Sequence, residues 1–407
     1  MDRLALLSVH GCPVARLGAK DTGGMNVYVL QVAKELGKRG HKIDVFTRIH
    51  DPNDEQIMEL GQNARVIHLN AGPYGEAKAG LRRYIPQFLD SLSRFQNDEG
   101  LTYDLVHSHY WLSGLAGVEL SRTWSVPHAT TFHTLARAKM EVRPGDLESE
   151  VRLDAESAVM SSVDSMVVST EQEREDLRRL YQVTPQRVRV VPAGVDLDLF
   201  VPMDRQEARR SLGLKESKII LSVGRMEPLK GLDILISAFA GLKDISDARL
   251  LIVGGDLGSD QEIKRLRSLA AKLGLSDRIT FTGVVQQTEL PKYYSAANVF
   301  VMPSYYESFG LATLEAMACG AAVVTSRVGG PMSFVEEGRT GFLVPWACPE
   351  PYSERIDMLL SDPDLQTRIG LAGAAKARDM GWNTVASALS DHYDALIGET
   401  WMDVAGA

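Results

Sequence analysis

Two glutamates, Glu307 and Glu315, stand eight positions apart in the largely apolar run SYYESFGLATLEAMACG, residues 304–320. An ionised carboxylate buried without a partner is costly, so acids placed here call for a ligand or a polar support. Glu307 falls in the loop after an expected strand, VFVMPS. A helix is expected to start near Ser308 to Gly310 and to stop at Gly320, with Glu315 one to two turns in. On one continuous helix, eight residues separate two side chains by about 80°. With a loop between them, both acids can face one pocket at different depths, and the helix start SFGLA offers N–H groups to a phosphate. The alternative is that Glu307 caps the helix and Glu315 lies on its surface.

Other segments carry groups of complementary chemistry. In SVGRMEPLKG, Arg225 and Lys230 share one loop after a strand. Two such cations suit a diphosphate whose charge grows as it departs; they also read as solvated surface charges. In HGCPVARLGAKDTGGMNVYV, Gly23 and Gly24 immediately precede a helix. That turn exposes N–H groups to an anion, or is simply tight. Its spacing is neither G-x-G-x-x-G nor a Walker P-loop, which gives little support to nicotinamide or ATPase chemistry. TFHTLARAKM sets His133 and Thr134 at a strand end. His107 and His109 in HSHYW read as alternation within a strand, and no third metal ligand is evident nearby in sequence.

The elements that position these groups alternate strand and helix throughout. Strands are expected at LALLSV, KIDVFTR, ARVIHLN, LVHSH, HATTFHT, SMVVST and VRVVPAG, then at KIILSVG, RLLIVGG, RITFTGV, VFVMPS, AAVVTS and GFLVP. Several are continuous Val/Ile/Leu runs, as in parallel sheets covered on both faces. Amphipathic helices such as MNVYVLQVAKELGKRG and DQEIKRLRSLAAKLG separate many of them. The pattern implies an α/β protein with two doubly wound Rossmann-like domains, whose ligands gather at the carboxyl ends of the strands. We expect an N-terminal domain over 1–198 and a C-terminal domain over 199–384, with a terminal helix over about 385–407 that packs back on the first domain.

At 407 residues, with 44% hydrophobic and 24% charged residues, the chain has the composition of a two-domain globular protein. A formal net charge of -9 argues against a nucleic-acid partner. Cys12, Cys319 and Cys348 are widely spaced and read as reduced thiols, neither a disulfide frame nor a metal site. The N-terminal apolar run is too short for a signal segment, and no stretch approaches a membrane span; a cytoplasmic location is the expectation.

Taken in order, Gly23-Gly24, FHT at 132–134, Arg225 with Lys230, and Glu307 with Glu315 resemble the retaining GT-B glycosyltransferases of family 4, the glycogen-synthase-like and sucrose-synthase-like group. The resemblance covers nearly the whole chain and implies an NDP-sugar held mostly on the second domain, in a cleft that the two domains face. Glu315 then holds the ribose hydroxyls and Glu307 sits near the 3-hydroxyl of the donor sugar. Arg225 and Lys230 neutralise the diphosphate, helped by backbone at Gly23 and Gly24 and by the helix start Ser308, Phe309, Gly310 and Leu311. Thr282, Gly283 and Val284 read the base, and His133 orients the sugar near its 6-hydroxyl. The implied catalytic set is His133, Glu307, Arg225 and Lys230. The co-substrate is a UDP-sugar, with no further cofactor and no metal. Departure and attack on the same face, through a short-lived oxocarbenium-like ion pair, is the mechanism that the resemblance implies. Hinged closure of the domains on the donor would exclude water.

For the acceptor, DTGGMNVYVLQVAKELGKRG, AGPYGEAK, VHSHYWLSG and FHTLARAK are similar to the inositol-phosphate N-acetylglucosaminyltransferases of mycothiol synthesis. The resemblance implies a phosphate clamp of Lys78, Tyr110, Thr134 and Arg152, with His10 and Asn26 near the acceptor ring. Lys78 aligns after a one-residue shift in its loop. HGCP and RLDAE depart from the usual HTSP-like and R-x-x-G-E segments. Sucrose-phosphate synthases share the scaffold and an H-[ST]-L-x-x-x-K segment in which Lys139 is the lysine, so transfer to fructose 6-phosphate, or sucrose-synthase-like transfer to an unphosphorylated sugar, stays open. A nucleotide-sugar epimerase and a periplasmic-type sugar-binding protein are the readings from other classes. The first does not explain the Glu307–Glu315 context, and the second does not explain the diphosphate cations. The expected partners are a nucleotide-sugar and a phosphorylated acceptor, and a homodimer is left open.

Overall fold

The computed structural model describes residues 1–15, 22–143, 145, 148–255, 257, 261–345 and 348–405, with 400–405 described as helix backbone only. Residues 16–21 of the segment preceding Gly23 lie outside it, as do the last two residues of the expected terminal helix. The chain divides into two compact units. One comprises Met1–Ala15, Gly24–Pro192 and the chain from Trp382 onward, and the other includes Ala193–Gly381.

The sheet of the first unit is built from β1 (Arg3–Leu7), β2 (Lys42–Arg48), β3 (Ile57–Gly61), β4 (Ala64–Leu69), β5 (Leu105–His109), β6 (His128–Thr131), β7 (Ser165–Val168) and β8 (Val188–Val190). Their spatial order is β3-β4-β2-β1-β5-β6-β7-β8, parallel except where β3 pairs antiparallel with β4. β1 and β5 are buried almost throughout, because helices cover both faces. β3 is the one strand that the sequence pattern does not mark. Its residues, IMELG, mix half-buried and exposed positions with the single buried Leu60 at the sheet edge, and Asn63 turns the chain back with φ 55°.

The terminal helix, Trp382–Ala405, returns to this unit. Trp382 packs edge-on to Tyr28 at 5.6 Å, the Tyr393 hydroxyl lies 2.6 Å from His107 Nδ1, and Ser390 Oγ lies 3.0 Å from His41 Nε2. These contacts tie the end of the chain to the helix Gly24–Lys38 and to the middle of the sheet.

The second sheet holds β9 (Lys218–Val223), β10 (Ala248–Val253), β11 (Ile279–Gly283), β12 (Val299–Met302), β13 (Ala322–Ser326) and β14 (Phe342–Val344), in the order β11-β10-β9-β12-β13-β14. Its pairings are parallel. Ile220, Leu250, Ile252, Val299, Val301 and Val324 form the apolar middle, covered by helical residues such as Leu235, Phe239 and Tyr352. Each sheet has one point where the strand order reverses: β1 beside β5, and β9 beside β12. Loops leaving adjacent strands diverge there, which opens a crevice for a ligand.

Candidate active site

At the reversal point of the second sheet, the loop after β9 and the loop after β12 are joined. Tyr305 N–H donates to the Leu229 carbonyl at 2.8 Å. Gly231 adopts φ 62°, and a Cβ there would lie 2.1 Å from the Pro303 carbonyl oxygen, so only glycine lets the two backbones pass. This crossing brings the Lys230 ammonium within 2.6 Å of the Glu307 carboxylate, with the two side chains only 18% and 14% exposed. Ser304 Oγ donates to the same carboxylate oxygen at 3.3 Å. Lys230 is therefore not a solvated surface charge. Arg225 is half-buried and pairs with Glu227 at 2.7 Å.

The helix that follows runs Leu311–Ala318, with Gly310 as its N-cap and no side-chain cap bond. The reading of Glu307 as the helix cap thus fails. Glu315 is buried instead of lying on the helix surface, and the Tyr294 hydroxyl donates to it at 2.7 Å. Burial pushes its carboxyl up to about 7, against the hydrogen bonds from Tyr294 and Gln287. The loop between the two acids rests on Gly330, whose N–H donates to the Glu307 carbonyl at 3.0 Å. A Cβ on Gly330 would lie 1.9 Å from the Phe309 carbonyl oxygen. Ser308 and Leu311 are half-buried, and Phe309 is buried. Thr282, Gly283 and Val284 leave β11 at its carboxyl end, where Gly283 O accepts from Gly254 N–H at 2.8 Å.

The shifted Glu315 carries a stability consequence. An unfolded glutamate titrates near 4.3, so between there and about pH 7 the folded chain holds a proton that the unfolded chain has lost. Stability is therefore highest below the unfolded value and falls as pH rises toward 7, by about 4 kcal/mol in all from this group. Glu315→Gln should flatten that slope in urea unfolding measured at about pH 5 and about pH 8.

At the reversal point of the first sheet, the His10 ring lies over Tyr110, centroids 4.6 Å apart, bringing together the loop after β1 and the residue after β5. Val9 N–H donates to Ser113 Oγ at 3.0 Å across the same boundary. The Arg152 guanidinium carbon lies 5.0 Å from the centre of the Tyr110 ring, and Lys78 Nζ lies 5.5 Å from it. Arg152, on the helix Glu150–Ser162, donates to Thr134 O at 2.9 Å and to Thr134 Oγ1 at 3.0 Å. It also pairs with Glu156 at 2.7 Å and Glu148 at 2.9 Å. Lys139 meets the same Glu148 oxygen. His10, Lys78, Tyr110, Thr134, Lys139 and Arg152 thus form one cluster.

Asn26 donates from its side-chain amide to the Cys12 carbonyl at 2.7 Å. Sequence reasoning passed over the two carboxylates. Glu148 and Glu156 lie one helical turn either side of Arg152, a spacing that could have marked them.

His133 follows β6 in the left-handed region at φ 60°, and Tyr110 sits there too at φ 76°. Such conformations cost about 1–3 kcal/mol each and gather at functional sites. His133 Nε2 lies 3.0 Å from His109 Nδ1, and the Tyr28 ring meets His133 edge-on at 5.2 Å. Desolvation pushes His133 down to about 3, so it is a neutral imidazole at ordinary pH. The helix Gly24–Lys38 begins at the second glycine of the pair, with Gly23 in the bend before it.

Two family models match successive halves of the chain: the glycosyl transferase 4-like domain over residues 23–194 and the glycosyl transferases group 1 domain over 204–376. The chain belongs to the group 1 glycosyltransferases. This glycosyltransferase is 38% identical over 408 aligned positions to the D-inositol 3-phosphate glycosyltransferase of Corynebacterium glutamicum, with 98% of each chain covered. Among solved structures it is similar to sucrose-phosphate synthase from Thermosynechococcus elongatus, with a TM-score of 0.90 and 35% identity over 98% of this chain and 100% of that one. Anabaena HepE, solved with UDP and glucose, shares the fold at a TM-score of 0.77 and 19% identity, covering 97% of this chain and 100% of that one. The GT-B architecture expected from the sequence is thereby shown, as is the assignment to glycosyl transfer. Among the described residues no helix is long and apolar enough to cross a membrane.

Proposed function

We propose that this enzyme moves a hexosyl unit, with retention, from UDP-N-acetylglucosamine or UDP-glucose to a phosphorylated polyol or sugar such as an inositol phosphate. The observation that carries the acceptor class is the cluster of Lys78, Lys139 and Arg152 about Tyr110 and Thr134. Cations and a hydroxyl in one place suit a phosphate, because charge-assisted bonds give both affinity and orientation. A phosphate entering here takes the place that Glu148 holds between Arg152 and Lys139.

On the donor side, Glu315 has the burial and the fixed orientation to receive the two ribose hydroxyls. Gly23 and Gly24 at one helix start and Ser308 to Leu311 at another supply backbone donors for the diphosphate. Thr282, Gly283 and Val284 face the base. As the C1–O bond to the diphosphate breaks, Lys230 and Arg225 neutralise the growing charge. The acceptor hydroxyl attacks C1 on the same face and passes its proton to the departing diphosphate oxygen. His133, being neutral, orients the sugar by hydrogen bonding. Glu307 gives up Lys230 to the diphosphate and turns to the sugar. The chemistry asks for no cofactor beyond the nucleotide-sugar.

The likeness to sucrose-phosphate synthase supports a second reading, transfer to fructose 6-phosphate. A matrix of UDP-, ADP- and GDP-sugars against inositol phosphate, fructose 6-phosphate and the unphosphorylated analogues, with products identified by mass, separates the two. Transfer confined to unphosphorylated sugars, or release of free sugar in every case, would falsify the acceptor assignment.

A further inference from the structure

The carboxyl ends of β1, β2 and β4, adjacent in the sheet, gather a second set of reactive side chains that the transfer reaction does not use. Cys12 follows β1, His50 follows β2, and His68 lies in β4 beside Thr47 of β2. One ligand atom from each of the three lies within 4.8 Å of the others. Cys12 and His68 are buried and His50 is half-buried. Cys12 Sγ and His68 Nε2 are 3.3 Å apart.

Both imidazoles are oriented from behind. His68 Nδ1 lies 2.7 Å from the Glu55 carbonyl, and His50 Nδ1 lies 2.8 Å from the Asp54 carboxylate. A backbone carbonyl and a carboxylate on the far nitrogen are the partners that fix the tautomer and ring position of metal-bound histidines. Asp54 is itself anchored by the backbone N–H groups of His50 and Asp51, so its charge is held beside the cluster.

We infer that Cys12, His50 and His68 form a binding site for a thiophilic divalent transition-metal ion, zinc before others. One thiolate and two imidazoles match the tetrahedral preference and the borderline softness of Zn²⁺, and they leave a fourth position to water. Magnesium and calcium, which take oxygen ligands, do not suit this donor set. Binding breaks the Cys12 S–H bond, forms the S–Zn bond and releases one proton to solvent. The bound ion joins two loops to strand β4, and through Cys12 it braces the segment that carries His10 and receives the Asn26 amide.

The test uses the full chain and the metal alone. After equilibrium dialysis against micromolar ZnCl₂ and removal of free ion, elemental analysis should find one zinc per chain. Co²⁺ in its place should give thiolate-to-metal charge-transfer absorption together with tetrahedral visible bands. Cys12→Ser, His50→Gln and His68→Gln should each lose the metal, whereas Cys348→Ala, at an exposed thiol elsewhere, should keep it. Should the buried variants fail to fold, the cobalt spectrum of the unaltered chain decides alone. Failure to retain zinc, equal retention by Cys12→Ser, or a cobalt spectrum without thiolate absorption would each overturn the inference. None of these readouts depends on sugar transfer, so they stand apart from the donor and acceptor assignments.

Discussion

Lys230→Ala is expected to lower kcat by roughly a hundred- to a thousand-fold while leaving the melting temperature within a few degrees. The rate effect follows from where the charge develops. A diphosphate gains negative charge as it leaves C1, so a fixed ammonium interacts with the transition state more strongly than with the bound donor. Loss of one such preorganised group costs about 2.7–4 kcal/mol of barrier. The stability effect is smaller because Lys230 and Glu307 both keep some access to water. Glu307→Gln separates the two roles. It frees Lys230 for the diphosphate yet removes the acid that meets the sugar, so kcat should still fall. Steady-state kinetics with thermal melts on both variants checks this. Full activity in both would remove Lys230 and Glu307 from the transfer step.

The second large effect lies at Arg152, where folding and acceptor choice are coupled. Its guanidinium answers Glu156, which is fully buried and also accepts from Ala136 N–H at 3.0 Å. Arg152→Ala leaves that carboxylate without its charge partner, and such a break in a buried pair costs about 3–5 kcal/mol. Arg152→Ala/Glu156→Gln should recover part of the loss, because no buried charge is then left unpaired. In both variants, discrimination between phosphorylated and unphosphorylated acceptors should collapse. Lys139→Ala probes the same cluster at lower risk, since the lysine is 24% exposed and its ammonium pairs with the partly exposed Glu148. Its KM for the phosphorylated acceptor should rise about 10- to 100-fold, the worth of one charge-assisted hydrogen bond. Urea melts and acceptor kinetics measure the two components separately.

Much of the architecture could be read from the chain because parallel strands covered on both faces must be continuous apolar runs, as Leu4 to Leu7 and Val299 to Met302 are. β3 escaped because an edge strand buries little, and IMELG shows neither a continuous run nor clean alternation. The positions of Lys230, Glu307 and His133 follow from the rule that ligand groups sit at strand carboxyl ends. Their partners do not follow from it. That Lys230 and Glu307 meet depends on Gly231 passing the Pro303 carbonyl, a contact between segments far apart in the chain. The pairing of Glu148 with both Arg152 and Lys139 depends on how one loop folds back. Cys12, His50 and His68 show no metal-binding spacing because three adjacent strands, not one motif, assemble them.

A competition in one tube separates phosphate-directed transfer from transfer to any polyol. Wild-type enzyme is given one UDP-sugar and equal amounts of an inositol phosphate and of inositol, and the anomeric proton of each product is followed by NMR. A single product is expected, an α-linked glycoside of the phosphorylated acceptor. Equal transfer to both acceptors, or a β-linkage, would contradict the proposed function.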